Sequence, residues 1–225
     1  MIPPVIIRFP AWDDWPFLNA AFIGRVDGID VETDRETALA RLSGAHESIR
    51  RSLEFGTEPI ATAEQVHGAN VAVVGASDRF PVPDCDALVT ATPGLCLGIY
   101  VADCAAVYLA DRHGRAIGLA HSGKKGTELG IAIRTLEAVC TFSGGQPNEV
   151  IAVISPCIRP PHYEVDFATE IRRQLRDAGI AAVYDDGICT AADTNRFYSY
   201  RRELGRTGRM LALLSLKNVP PTGRP

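Results

Sequence analysis

Five histidines and six cysteines hold most of this chain's capacity for metal or nucleophilic chemistry. His67 stands before Gly68, and His121 before Ser122-Gly123, each where an apolar extended segment meets a glycine-bearing turn. Cys104 occupies a comparable place after Ala102-Asp103. One cysteine and two histidines make a zinc set of three protein ligands, with a fourth position open to water or substrate. Their separations of 37 and 17 residues match no short zinc-finger spacing. On spacing alone the default is a buried structural cysteine and two hydrogen-bonded histidines.

The same atoms allow chemistry without metal. Cys104 could be a nucleophile with His121 as its base, given an electropositive field from Lys124 or Lys125 to lower the thiol pKa. A lysine pair at the head of a helix runs against the helix dipole. Either both lysines reach into water, or one converges with backbone N–H groups on an anion such as phosphate. Asp86 and Asp103 are placed to orient a ligating imidazole, while Asp84 reads as a strand-start turn. His46 belongs to a helical surface, His113 to a turn and His162 to a proline-flanked loop, and all three read as structural. Arg196, Arg201, Arg202, Arg206 and Arg209 form a basic run whose default is a solvated or ion-paired surface.

These residues need rigid elements to hold them. The stretch from Leu95 reads as a strand ending at Asp103-Cys104, a strand from Ala105 to Leu109, a turn through Gly114, and a strand from Ala116 that stops at His121. Upstream, 5–9 and 20–23 are short strands. Thr33-Asp34-Arg35-Glu36 has capping-box spacing and starts a helix that Gly44 interrupts. Residues 59–65 are extended, Val66 to Ala69 turn, and Asn70 to Val74 and Asp84 to Thr90 are strands. Leu129, Ile133, Leu136, Val139 and Cys140 fall at helical spacing, so Gly126 to Phe142 is a core-facing helix. Val150 to Ile154, Ile180 to Tyr184 and Met210 to Leu216 are strands. A helix capped by Asp166 runs to Asp177. Strands and helices mix without regular β-α-β alternation, and no Gly-rich dinucleotide or phosphate-loop fingerprint occurs. The expected fold is α+β: one domain over residues 1–217 with a frayed tail at 218–225.

With 225 residues, 46% of them hydrophobic and 22% charged, the chain has the composition of a globular domain with a substantial core. A net charge of −4 runs against general nucleic-acid binding. The start carries no secretory signal pattern, and no apolar run reaches bilayer length. The expectation is a cytoplasmic protein acting on a small molecule. Its scattered cysteines, without a C-x-x-C pair, read as buried or metal-ligating thiols.

Six motifs follow one another in order: Gln65-Val-His-Gly68, Cys85-Asp-Ala-Leu-Val-Thr90, Ala102-Asp-Cys104, His121-Ser-Gly-Lys-Lys-Gly126, Pro156-Cys-Ile158 with Tyr163-Glu-Val165, and Arg196-Phe-Tyr-Ser-Tyr-Arg-Arg202 with Thr207-Gly-Arg-Met210. Together they resemble the bacterial YfiH/YlmD-like family, once called multicopper polyphenol oxidases or laccase-domain proteins, from about Gln65 to Leu216. The resemblance implies a layered mixed-sheet fold similar to cytotoxic necrotizing factor deamidases. It implies a zinc site at His67, Cys104 and His121, and purine nucleoside phosphorolysis with adenosine deamination as a second activity. Some relatives instead edit peptidoglycan precursors by amide hydrolysis. A member with lost turnover would be a metal-binding protein only. In this frame Lys125 would aim phosphate at the ribose, and Gln65 would orient substrate or ligand. Copper fits less well than zinc, since a multicopper cluster needs H-x-H pairs that are missing here. The chain departs from the family loop His-Ala-Gly-Trp-Arg/Lys-Gly at Ser122 and Lys124. It also carries Phe22-Ile-Gly-Arg-Val-Asp-Gly-Ile-Asp30 in place of the usual Ser-Leu-Asn-Leu-Gly-like segment.

Overall fold

Alternation along Ala105–Asp111 sets the layering. Ala105, Val107 and Leu109 face one apolar cluster, and Ala106, Tyr108 and Ala110 face another. A strand with both faces covered reads as a continuous apolar run, as this one does. The computed structural model describes residues 4–218, so most of the expected tail lies outside the described residues. In chain order the elements are β1 (Ile6–Ile7), β2 (Leu18–Ile23), α1 (Arg35–Ser52), β3 (Ala61–Thr62), β4 (Val71–Val73), β5 (Ala87–Thr90), β6 (Cys96–Val101), β7 (Ala105–Asp111), β8 (Ile117–Ser122), α2 (Lys124–Glu128), α3 (Ile131–Ser143), β9 (Val150–Ile154), α4 (Phe167–Asp177), β10 (Ala182–Asp185) and β11 (Met210–Leu216).

Two mixed sheets result, ordered β1-β2-β11-β6-β3 and β10-β9-β7-β8-β5-β4. In the first, β11 runs antiparallel to β2 and β6, and β3 parallel to β6. In the second, β7 lies antiparallel between β8 and β9. Phe22, Leu97, Ile99, Ala212 and Leu214 of the first sheet pack on Leu88, Tyr108 and Leu119 of the second. The Tyr108 hydroxyl crosses this interface and donates to the Ala21 carbonyl at 2.8 Å, so the buried phenol is satisfied. The outer face of the six-stranded sheet is covered by α3 and α4. Ile49, Leu53 and Phe55, on and just beyond α1, cover the outer face of the five-stranded one. The α+β expectation thus takes the form of four layers, helix–sheet–sheet–helix. Among the described residues no helix is long and apolar enough to cross a membrane.

Three local expectations change. The cap of α1 is Asp34, which accepts from the Thr37 N–H at 2.9 Å, and the helix continues through Gly44 without a break. Gly44 sits on the exposed face, where a helical glycine costs only about 1 kcal/mol. His46 is on the opposite face: it is buried, 5.9 Å from the Tyr100 ring, and neither ring nitrogen has a partner. The segment 126–142 divides at Gly130, whose φ of 75° ends α2 before α3 starts, leaving Leu129 exposed.

Candidate functional site

One carboxylate organises the ligand-bearing loops. Asp86, fully buried at the head of β5, accepts from the backbone N–H groups of Val66 (3.2 Å), His67 (2.9 Å) and Gly68 (2.7 Å). It also accepts from His121 Nδ1 at 2.8 Å. These bonds stabilise a turn in which Gln65 (φ 58°) and His67 (φ 60°) take left-handed conformations that side-chain-bearing residues rarely adopt. Burial pushes the Asp86 carboxyl up, and the bonds from His121 and the turn outweigh it and hold the carboxyl below its ordinary value.

His67, Cys104 and His121 converge, with one donor atom from each within 4.8 Å of the others. The two imidazoles meet edge to face with centroids 4.7 Å apart. His121 is buried, Cys104 half-buried and His67 exposed, so the group opens on the His67 side. Cys104 sits against Gly123, where an added Cβ would stand 2.5 Å from its sulfur. Burial pushes the Cys104 thiol up, but the charge and hydrogen bonds of His121 and His67 bring it down to about 6. Burial pulls His121 down, but the Cys104 charge and the bond to Asp86 raise it to about 9. Both shifts favour a thiolate beside an imidazolium when no metal is bound. All six cysteines are free.

Several expected roles move. Asp103 (φ 79°) touches no imidazole. Its carboxylate accepts from Thr190 Oγ1 (2.7 Å), Ser199 Oγ (3.0 Å) and the Arg201 N–H (2.7 Å), pinning the arginine-rich loop beside Cys104. Gln65 lines the cavity with its side-chain amide engaged by backbone. Its amide donates to the Tyr100 carbonyl at 2.6 Å and accepts from the Tyr100 N–H at 3.0 Å, which mimics a strand partner for β6. Lys124, and not Lys125, lines the cavity. Ser122 is buried and hydrogen-bonded to Thr127 Oγ1 at 2.9 Å, so it clips α2 and leaves the cavity wall unchanged.

The cavity has a volume of about 720 Å³ and joins the three ligating side chains to residues that sequence reasoning left outside the site. Arg35, Tyr100, Phe167, Tyr200 and Arg209 all line it. Arg209, expected on a solvated surface, is 8% exposed. Its place in Thr207-Gly-Arg-Met210, directly before the apolar β11, was the available signal. Both sheets therefore contribute to one site, with the histidines and thiol at strand ends and turns and the cations from flanking loops.

A four-layer α+β scaffold with a His/Cys/His group in a half-open cationic cavity defines a class of small-molecule enzyme with a candidate metal centre. The chain belongs to the family described as "Multi-copper polyphenol oxidoreductase laccase", whose model matches residues 24–170 and 165–217. It is 36% identical over 192 residues to a purine nucleoside phosphorylase of Deinococcus radiodurans, covering 73% of each chain. It is 34% identical to a Xylella fastidiosa protein of the same name, covering 92% of this chain and 97% of that one. The fold matches the crystal structure of YlmD from Geobacillus stearothermophilus with a TM-score of 0.84 at 24% identity, over 96% of this chain and all (100%) of that one.

Proposed function

We propose that this protein is a zinc-dependent purine nucleoside phosphorylase, in which residues 1–217 act as one catalytic domain. The observation that carries the proposal is the convergence of His67, Cys104 and His121 in a cavity large enough for a nucleoside and phosphate. The names of the curated relatives support the same reading. Two imidazole nitrogens and one thiolate suit zinc, and the open side at His67 leaves room for a non-protein ligand. Bound there, the metal would supply Lewis acidity toward a phosphate or water oxygen.

The chain's own residues do the rest. Asp86 accepts the Nδ1–H of His121, which fixes the tautomer and turns Nε2 toward the ligand position. Tyr163, Phe167 and Tyr200 provide aromatic surface of the kind a purine packs on. The lining cations favour the charged co-substrate, and the walls restrict water around the reacting carbon. Deamination of adenosine would be a second outcome of the same site, with water adding to C6 of the purine and ammonia leaving, the C1′–N9 bond staying intact.

Metal analysis of the purified protein, with adenosine or inosine incubated with phosphate, tests the proposal. Stoichiometric zinc and ribose 1-phosphate are expected. Absence of both zinc and any purine or ribose product would overturn it. A second reading has one specific observation behind it: Cys104, His121 and Asp86 are in line as nucleophile, base and orienting acid. That arrangement suits amide hydrolysis, for instance of a peptidoglycan precursor, and it predicts turnover that is indifferent to phosphate and to chelators.

A further inference from the structure

The charge on the cavity wall is one-sided. Arg35, Lys124, Arg201 and Arg209 line it, against the single carboxylate Asp103, whose oxygens are already engaged by Thr190, Ser199 and the Arg201 N–H. Two of the cations have other attachments. Arg201 reaches Glu164 at 3.1 Å and lies over the Tyr163 ring at 4.8 Å, and Lys124 is exposed on α2.

Arg209 and Arg35 are the two lining guanidinium groups with no carboxylate partner among the described residues, and Arg35 is close enough for its charge to act on Arg209. Arg209 is 8% exposed and donates only to the carbonyls of its own turn, Thr207 at 2.8 Å and Gly208 at 2.9 Å. Its Nε and Nη2 make no bond among the described residues, and neither is sealed off from solvent. Arg35 donates to the Glu64 carbonyl at long distances of 3.4 and 3.5 Å. A guanidinium removed from water without a paired counter-charge is destabilised; for Arg209 the charges of Cys104 and Asp103 offset part of that cost, and the neighbouring guanidinium of Arg35 adds to it. Burial, then the charge of Arg35, hold Arg209 below the ordinary guanidinium value. An anion between the two would relieve both effects. The guanidinium fork also presents parallel N–H groups that match the oxygens of a phosphate, which a lysine cannot do.

We infer that Arg209 and Arg35 form the binding site for inorganic phosphate, on the side of the cavity built from the five-stranded sheet. Arg209 directly precedes β11, and Arg35 opens α1, which lies on that sheet. The triad comes instead from β8, the start of β7 and the turn before β4. The phosphate would thus be held by the two arginines on the side of the five-stranded sheet while the triad faces it from the other, with Lys124 and Lys125 outside the guanidinium contact. This inference rests on the phosphorylase reading for the role of the anion, while the site itself can be tested without turnover.

The test compares wild type with Arg35→Met, Arg209→Met and Arg209→Lys. Phosphate binding is read from thermal stabilisation of the zinc-loaded protein by inorganic phosphate alone, and phosphorolysis from the KM for phosphate and for inosine. Charged hydrogen bonds of roughly 1.5–3 kcal/mol correspond to a rise in phosphate KM of about 10- to 100-fold. That rise is expected in Arg35→Met and Arg209→Met, with the inosine KM nearly unchanged and partial recovery in Arg209→Lys. Arg35 is exposed, so its variant tests the site even if Arg209→Met does not fold. Phosphate stabilisation lost in the variants, in a protein without phosphorolysis, keeps the anion site and removes the phosphorylase reading. Phosphorolysis with unaltered phosphate KM in Arg35→Met and Arg209→Lys overturns the site and leaves that reading standing. Weakened binding of a nucleoside 5′-monophosphate but not of inorganic phosphate also overturns it.

Discussion

Asp86 and His121 are joined twice. His121 Nδ1 and Asp86 Oδ1 lie 2.8 Å apart, and the His121 N–H donates to the Asp86 carbonyl at 2.7 Å. The same carboxylate holds the turn that carries His67, so one buried acid positions two of the three candidate metal ligands. Replacement of Asp86 by Asn keeps the shape but places an NH₂ where an oxygen accepts from backbone N–H groups. Zinc affinity should fall by about 10- to 100-fold, measured by chelator competition. The unfolding free energy of the metal-free protein should also fall, by about 1–3 kcal/mol. Unchanged affinity would separate the carboxylate from the metal site.

Gly123 is set by a sulfur atom. A methyl group there would stand 2.5 Å from Cys104 Sγ, so Gly123→Ala must push the thiolate out of line with the imidazoles. Zinc affinity should drop by an order of magnitude or more, about 1.4 kcal/mol for each tenfold step. Far-ultraviolet circular dichroism should stay that of the wild type, because α2 accommodates alanine.

The Cys104–His121 pair predicts a divergence between stability and reactivity in metal-free protein. A depressed thiol favours folding above its unfolded value of 9.0, and that contribution is lost as pH falls through about 6. A raised imidazole favours folding below its unfolded value of 6.5, and that contribution is lost as pH rises through about 9. Between 6.5 and 9 the folded and unfolded pairs each hold one proton, so this pair leaves stability flat there. Alkylation of Cys104, located by mass spectrometry, should nevertheless rise around pH 6, and zinc should protect it. A rise near pH 9 would exclude the ion pair.

His46 gives the opposite signature. Burial holds its imidazole down at about 4, against 6.5 when unfolded. The unfolded chain therefore takes up a proton first as pH falls. Stability should decline from pH 6.5 downward, by about 2 kcal/mol at pH 5. Denaturant unfolding of His46→Leu at pH 7 and pH 5 should show that decline removed. It should also show added stability at both values, since two orphaned ring nitrogens disappear.

The strands were legible because two covered faces leave unbroken apolar runs, and Val150–Ile154 and Met210–Leu216 fall at their expected limits. The triad was legible because glycine-bearing turns end those runs at His67 and His121. Rotation about a helix axis was not legible: neighbouring Lys124 and Lys125 point in directions about 100° apart, and only the chain's path through Gly123 selects the first. For His46 the signal was present, since Ala38, Leu42, His46 and Arg50 recur every fourth residue on the buried face. A polar residue in that series was read as surface on its chemistry and not its phase. The anchoring of Gln65 to Tyr100 and of Asp103 to Ser199 spans 35 and 96 residues of sequence, and no local pattern encodes it.

The placement of Asp103 has a consequence for how such a site can diversify. Its carboxylate fastens the loop from Ser199 to Arg201 beside Cys104 without touching either imidazole. The segment from Tyr200 to Leu204 is fastened again through Glu203, which pairs with Arg25 and accepts from the Ser199 N–H and Thr207 Oγ1, while Leu204 stands 88% exposed at the cavity rim. Leu204, whose apolar side chain carries none of these bonds, can be exchanged without disturbing them. New substrate preference can arise by drift at this rim, while the strand-borne donors beneath stay constant.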